Sequence, residues 1–124
     1  MSTDKQPTFG NGKICYIEIP ATDISTSVKF YETVFGWKIR RREDGGVSFD
    51  DGVGEVSGMW VLGRKPADVI GLMTSIMVDD IKASIELIKM HGGKIIEVHI
   101  DDSEKIASFY DLAGNIFGLY QHRQ

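Results

Sequence analysis

The chain repeats itself. The stretch "DISTSV" at residues 23–28 recurs as "DIKASI" at 80–85, 57 positions later, and Gly36 recurs as Gly93 at the same offset. A second echo, "SGMW" at 57–60 and "FGLY" at 117–120, falls at an offset of 60. Two echoes in the same order, each at a matching place in a strand and helix programme, predict an internal duplication, which constrains the fold more than any composition does. Each half has an apolar helix stripe and an apolar sheet face, and neither half could bury both alone, so the two must share a core.

The elements follow from local patterning. In the first half, β-branched enrichment predicts a strand over 13–19 ended by Pro20, and Asp23 caps a helix running to Phe35. Ile24, Val28, Tyr31, Val34 and Phe35 share one helical stripe, and Gly36 supplies the stop. Strands are expected over 37–43, 47–50 and 56–63, with a turn at "EDGG" (43–46) and a flexible loop at "DDGVGE" (50–55). In the second half the same reading gives a strand over 73–78, a helix capped by Asp80 with Ile81, Ile85 and Ile88 on one face, and a stop at Gly92 and Gly93. Strands at 94–100, 105–111 and 116–121 follow, the last two joined by the turn "LAGN" (112–115). The organisation is a flexible arm over 1–12, a first βαβββ module over 13–63, a linker over 64–71 that opens with "RKPAD", and a second module over 72–121, together one structural domain.

Composition excludes several classes of function. A length of 124 residues leaves no room for a two-domain enzyme with its own nucleotide fold. Apolar residues at 42% and charged residues at 26% are those of a globular protein. A net charge of −4 gives no electrostatic reason for a nucleic-acid partner, and the one basic run, Arg40 to Arg42, reads as a solvated strand end. The single cysteine, Cys15, rules out an internal disulfide, and its apolar surroundings make it a small core residue rather than a nucleophile. With neither a signal-peptide pattern nor a long apolar span, no membrane partner and a cytoplasmic location are expected.

Paired βαβββ modules resemble the vicinal oxygen chelate superfamily, which includes glyoxalase I, the bleomycin resistance proteins and the extradiol dioxygenases. "IPATDISTSVKFYETVFGWKI" (19–39) is similar to that family's opening strand and helix, and "YDLAGNIFGLYQ" (110–121) to its closing D-P-x-G-N turn and strand, with Leu112 where proline is usual. The resemblance covers nearly the whole chain. It implies an α+β fold of two tandem βαβββ modules whose strands form a curved mixed sheet with the helices outside and the ligand in the concave side. It does not imply one activity, because the family holds lyases, isomerases, oxygenases and pure binders.

The resemblance also implies where a site should be. By strand alternation Cys15, Ile17 and Ile19 should pack under the helix while Tyr16 and Glu18 point into the cup, with Met73 and Ser75 as their counterparts. Metal-dependent relatives carry ligands at positions that fall here on Tyr16, Gly58, Met73 and Gly118, none of which is His, Asp or Glu. His91, His99 and His122 show no ligand-pair spacing, and His99 reads as a polar residue on an outer strand face. Neither a metal nor another cofactor is therefore expected. On the last strands the alternating sets Gly58, Trp60, Leu62 and Gly118, Tyr120 should face inward, the paired glycines leaving room for a planar guest; the opposing reading is a filled core with Trp60 on Tyr120.

The leading expectation is a metal-independent, homodimeric binder of a small apolar or aromatic molecule, held by Tyr16, Glu18, Trp60, Met73, Ser75 and Tyr120. Two others stand beside it: a lyase or isomerase with Glu18 as general acid or base, and a dimeric scaffold whose cup is closed. Relatives often complete their cups with a second subunit, sometimes by exchanging modules, and the short linker permits either arrangement.

Overall fold

The computed structural model describes residues 6–11, 13–67 and 71–121. The first module runs β1 (Tyr16–Ala21), α1 (Ile24–Phe35), β2 (Lys38–Arg41), β3 (Val47–Asp50) and β4 (Ser57–Leu62); the second runs β5 (Thr74–Val78), α2 (Ile81–Met90), β6 (Lys94–Ile100), β7 (Lys105–Tyr110) and β8 (Ile116–Gln121). Each module is one four-stranded mixed sheet, with spatial order β1-β4-β3-β2 in the first and β5-β8-β7-β6 in the second. The first and last strands of each module pair in parallel and the rest antiparallel. The fold is thus the α+β pair of βαβββ modules that the duplication predicts.

Both helices begin as the capping rule requires. The Asp23 carboxylate accepts from the Thr26 amide at 3.3 Å and the Asp80 carboxylate from the Ala83 amide at 3.1 Å, each satisfying an amide that the first helical turn leaves without a partner. Helix α1 ends on Gly36 at φ 70°, a left-handed position that suits glycine; α2 is capped by His91, with Gly92 following at φ 97°.

Helix α1 buries more than the predicted stripe. Phe30 and Ser27 are buried as fully as Val28 and Tyr31. The reason is tertiary: Phe30 and Phe35 lie 6.3 and 5.9 Å from Phe109 of the second module, and Tyr31 lies 5.9 Å from Phe117. A helix wedged between its own sheet and the partner module needs two apolar faces. On the other side Trp37 stacks on Tyr31 and on Phe49 at 4.5 Å each, and Phe49 reaches Trp60 at 4.8 Å. Trp37 precedes β2 rather than starting it, because its ring is drawn into this cluster.

A buried polar knot joins the modules. Asp111, at the start of the β7–β8 turn, accepts from the Tyr31 hydroxyl at 2.7 Å, from the Asn115 side-chain amide at 2.8 Å, and from the Ala113 and Asn115 backbone amides. Asn115 Nδ2 also donates to the Pro20 carbonyl at 2.7 Å, so β1 of one module is tied to the turn of the other. Burial, and then the Asp111 charge beside it, raise the Tyr31 phenol well above its ordinary pKa, so it remains a donor.

One local expectation is corrected, and two segments expected to be flexible carry hydrogen bonds to one another. Cys15 is exposed, because β1 starts one residue later and the chain before it runs over the surface. Part of the N-terminal arm is tied down: the Thr8 amide and hydroxyl donate to Glu55, and Lys13 pairs with Glu55 at 2.9 Å. The "DDGVGE" loop is ordered by the same anchoring, with the Asp51 amide donating to the Val56 carbonyl and the Asp51 carboxylate accepting from the Glu55 amide. Residues 1–5 of the arm and 68–70 of the linker lie outside the described residues. No helix among the described residues is long and apolar enough to cross a membrane.

Candidate functional site

The concave faces are read from strand register. In the first module Ile17 pairs with Gly58 and Ile19 with Trp60, while Tyr16 pairs with Ser57 and Glu18 with Met59. Residues paired across two strands share a face. Since Ile19 is core, Trp60 is core as well, 1% exposed, and a side chain at Gly58 would run into the Ile17 carbonyl and the Phe49 ring. In the second module Ile76 pairs with Leu119, both on the helix side, whereas Ser75 pairs with Gly118 and Met77 with Tyr120 on the opposite side.

The expected inward set on β4 is therefore inverted. Gly58 and Trp60 face the helices, Leu62 shares their parity at an exposed strand end, and Met59 and Val61 take the concave positions. The cause is a one-residue slip. Trp60 is the structural counterpart of Leu119, an offset of 59, and the sequence echo at 60 matched letters but not registers. A slip of one exchanges every side chain between faces. Trp60 and Tyr120 thus lie on opposite sides of their sheets. Trp60 fills volume only: its indole N–H has no hydrogen-bond partner among the described residues.

Tyr16 and Glu18 lie on the face of the first sheet opposite Ile19, Ser75 and Tyr120 on the corresponding face of the second, and Met73 stands just before β5. Tyr16 is 49% exposed, and Met73 and Tyr120 are 38% exposed each. Glu18 is held by Arg64, Oε1 to Nη1 at 2.7 Å, and this arginine is a site neighbour that sequence reading assigned to the linker. Beside Tyr16, Met59 and Val61 this side of the first module carries polar groups: the Asp50 carboxylate accepts from Ser57 Oγ at 2.7 Å and pairs with Arg40 at 3.0 Å. The basic run is accordingly split, with Arg40 on this face and Arg42 on the β2–β3 turn beside Asp44.

The second module differs in chemistry. Its concave side carries Met73, Met77, Ile106, Tyr110 and Tyr120, all exposed apolar or aromatic residues. His99 pairs with Ile106 and so belongs to this side rather than an outer one; its Nε2 turns to Asp101 at 2.9 Å at the rim. Asp101 accepts from Ser103 Oγ first and then from the Ser103 and Glu104 amides, which lower its carboxyl from 3.8 to about 2. A depressed folded-state pKa stabilises the fold above the unfolded value and ceases to do so as pH falls toward 2. Carboxyl NMR is expected to show Asp101 titrating near 2, and Ser103→Ala to move that midpoint upward. Between the modules, a cleft of about 290 Å³ lies along β1 and β8, lined by Glu18, Pro20, Leu72, Thr74 and Ile116.

With the register corrected, the four ligand positions of metal-dependent relatives fall on Tyr16, Met59, Met73 and Gly118. A phenol, two thioethers and a glycine do not make a site for zinc, manganese or iron(II). Among the described residues no three His, Cys, Asp or Glu side chains come together to hold a metal. His122 lies outside the described residues. Among the described residues, the side chains at these four positions do not fit a metal centre.

Residues 13–119 match the glyoxalase/bleomycin resistance protein/dioxygenase superfamily. The chain belongs to that superfamily. A glyoxylase-like domain-containing protein of Didymella fabae is 32% identical over 126 residues, covering 88% of this chain and 93% of that one. Among solved structures, the fosfomycin resistance protein FosX of Listeria monocytogenes superposes with a TM-score of 0.74 at 15% identity, covering 90% of this chain and 92% of FosX. TioX of Micromonospora sp. gives 0.62 at 19% identity, covering 90% and 100%. A variant of Listeria FosX, at 0.72 and 13% identity over 90% of each chain, was crystallised with Mn(II) and a dihydroxypropylphosphonic acid. At such identities the superfamily fold is shared, and nothing finer.

Proposed function

We propose that this superfamily member is a metal-independent binder of small apolar or aromatic molecules, acting as a homodimer. The observation that carries the reading is the exposed lining of the second module, Met73, Met77, Tyr110 and Tyr120, beside a ligand set with no metal donor. Exposed apolar patches of this kind mark binding surfaces. The pairing of Glu18 with Arg64 weighs against the lyase or isomerase reading. The open lining weighs against a closed-cup scaffold.

The test combines three measurements on protein purified without chelator or affinity metal. Elemental analysis is expected to find no stoichiometric zinc, manganese, nickel or iron, light scattering to give twice the chain mass, and a panel of aromatic compounds to raise the melting temperature. At a free concentration one hundred times Kd the gain is about 2.7 kcal/mol, a shift of several degrees. Stoichiometric metal, or no shift from any aromatic or apolar compound, would overturn the proposal.

A further inference from the structure

The concave face of the second module is organised in rows that run across the strands. The central row is Ser75 on β5, Gly118 on β8, Ser108 on β7 and Glu97 on β6, each paired with the next. On one side of it stand Ile116 and Tyr110, with Met73 just before β5; on the other stand Met77, Tyr120 and Ile106. The middle row is low over Ser75, Gly118 and Ser108, whose side chains are small, with Glu97 at its end, and the flanking rows are apolar up to β6, where they end in Lys94 and His99. The result is a trough with a polar floor and apolar walls.

The floor is unusual in having nothing to bond to. Ser75 and Ser108 offer hydroxyls without side-chain hydrogen bonds among the described residues, and Glu97 has neither an ion pair nor a hydrogen bond there. His99, next on the same face of β6, is turned toward Asp101, and Lys94 makes no ion pair. Gly118 lets the Ser75 side chain lie across the floor: a Cβ there would meet Ser75 Oγ at 2.5 Å. The floor spans three inter-strand steps of about 4.8 Å, roughly 14 Å in all, so a system of three fused rings lies within its length.

We infer that this trough takes a flat, polycyclic aromatic molecule whose polar edge lies on Ser75 and Ser108 and whose far end presents a hydrogen-bond donor, such as an aromatic amine, to Glu97. The walls supply aromatic and thioether contacts to a ring system, and an unpaired carboxylate at one end accepts but cannot donate. The hydroxyls serve either polarity, so Glu97 sets the discrimination between donor-bearing and acid-bearing rings. This inference rests on the small-molecule reading above and names the ligand class for it.

The probe is proflavine, a planar three-ring diamine that is cationic at neutral pH, followed by its fluorescence; an anthracene carboxylate of similar size is the comparison. Proflavine is expected to bind and the carboxylate to bind at least about tenfold more weakly, with Glu97→Gln weakening proflavine by about tenfold, as loss of a charge-assisted hydrogen bond does. Glu97 is exposed and unpaired, so the variant folds; Gly118→Val, verified folded by circular dichroism, is expected to abolish binding by filling the floor. If proflavine binds equally well to Glu97→Gln, or the carboxylate binds as tightly, the inference is overturned while small-molecule binding stands. If no aromatic compound of either kind binds, both fall.

Discussion

Asp111→Ala is expected to lower stability by about 3–5 kcal/mol and the melting temperature by roughly 10–20 °C. The Asp111 carboxylate is the shared acceptor for four donors, the Tyr31 hydroxyl, the Asn115 side-chain amide and the Ala113 and Asn115 backbone amides. Tyr31 has no solvent exposure, so its hydroxyl cannot turn to water when the carboxylate is removed. The loss falls on the boundary between modules, because Asn115 also holds the Pro20 carbonyl of β1. Tyr31→Phe removes one donor and leaves the other three in place, and about 1–2 kcal/mol is expected for it. Urea denaturation with far-UV circular dichroism checks both. An Asp111→Ala protein that melts within about 3 °C of the parent would remove the knot from any role in joining the halves.

The two glycines of the last strands are expected to respond in opposite ways. Gly58→Val should destabilise by about 3 kcal/mol or more, since the new side chain meets the Ile17 carbonyl, which is backbone, and the Phe49 ring in a closed aromatic cluster. Gly118→Ala meets the Ser75 hydroxyl at 2.5 Å, with Ser75 Cβ and the Ala107 carbonyl at ordinary contact distances, and the exposed Ser75 side chain can rotate away; under about 1 kcal/mol is expected. Denaturant midpoints decide the order. The reverse order would mean that β4 sits one residue out of the register described, with Trp60 facing the ligand side after all.

That register marks the boundary of what could be read in advance. Helix α1 and helix α2 were legible from their aspartate caps and 3.6-residue stripes, since both signals act within a few residues. The faces of β1 and β5 were legible because each strand runs a fixed distance into a capped helix, which sets its phase: Ile17 and Ile19 in one module, and Ile76 in the other, pack toward the core. Strand β4 had no such anchor. Its apolar residues alternate poorly, and Met59, Trp60 and Val61 in a row fit either phase. Only pairing with β1 resolves them, and the echo with β8 misled because a glycine followed by large residues occurs in both strands at different registers.

The candidate site divides along the same line. The faces of Tyr16 and Glu18 on β1 and of Ser75 on β5 were readable from position within a single strand. Arg64 beside Glu18, the Ser75–Gly118–Ser108–Glu97 row and the double-sided burial of α1 were not, because each depends on residues far apart in the chain. The amino-acid sequence by itself determined the duplication, the order of elements and the family, since caps, periodicity and turn residues are short-range physics. The tertiary structure alone decided which side of β4 is core, how Asp111 and Asn115 join the modules and which concave face is apolar, because inter-strand register is settled by pairing across the sheet and not by either strand alone.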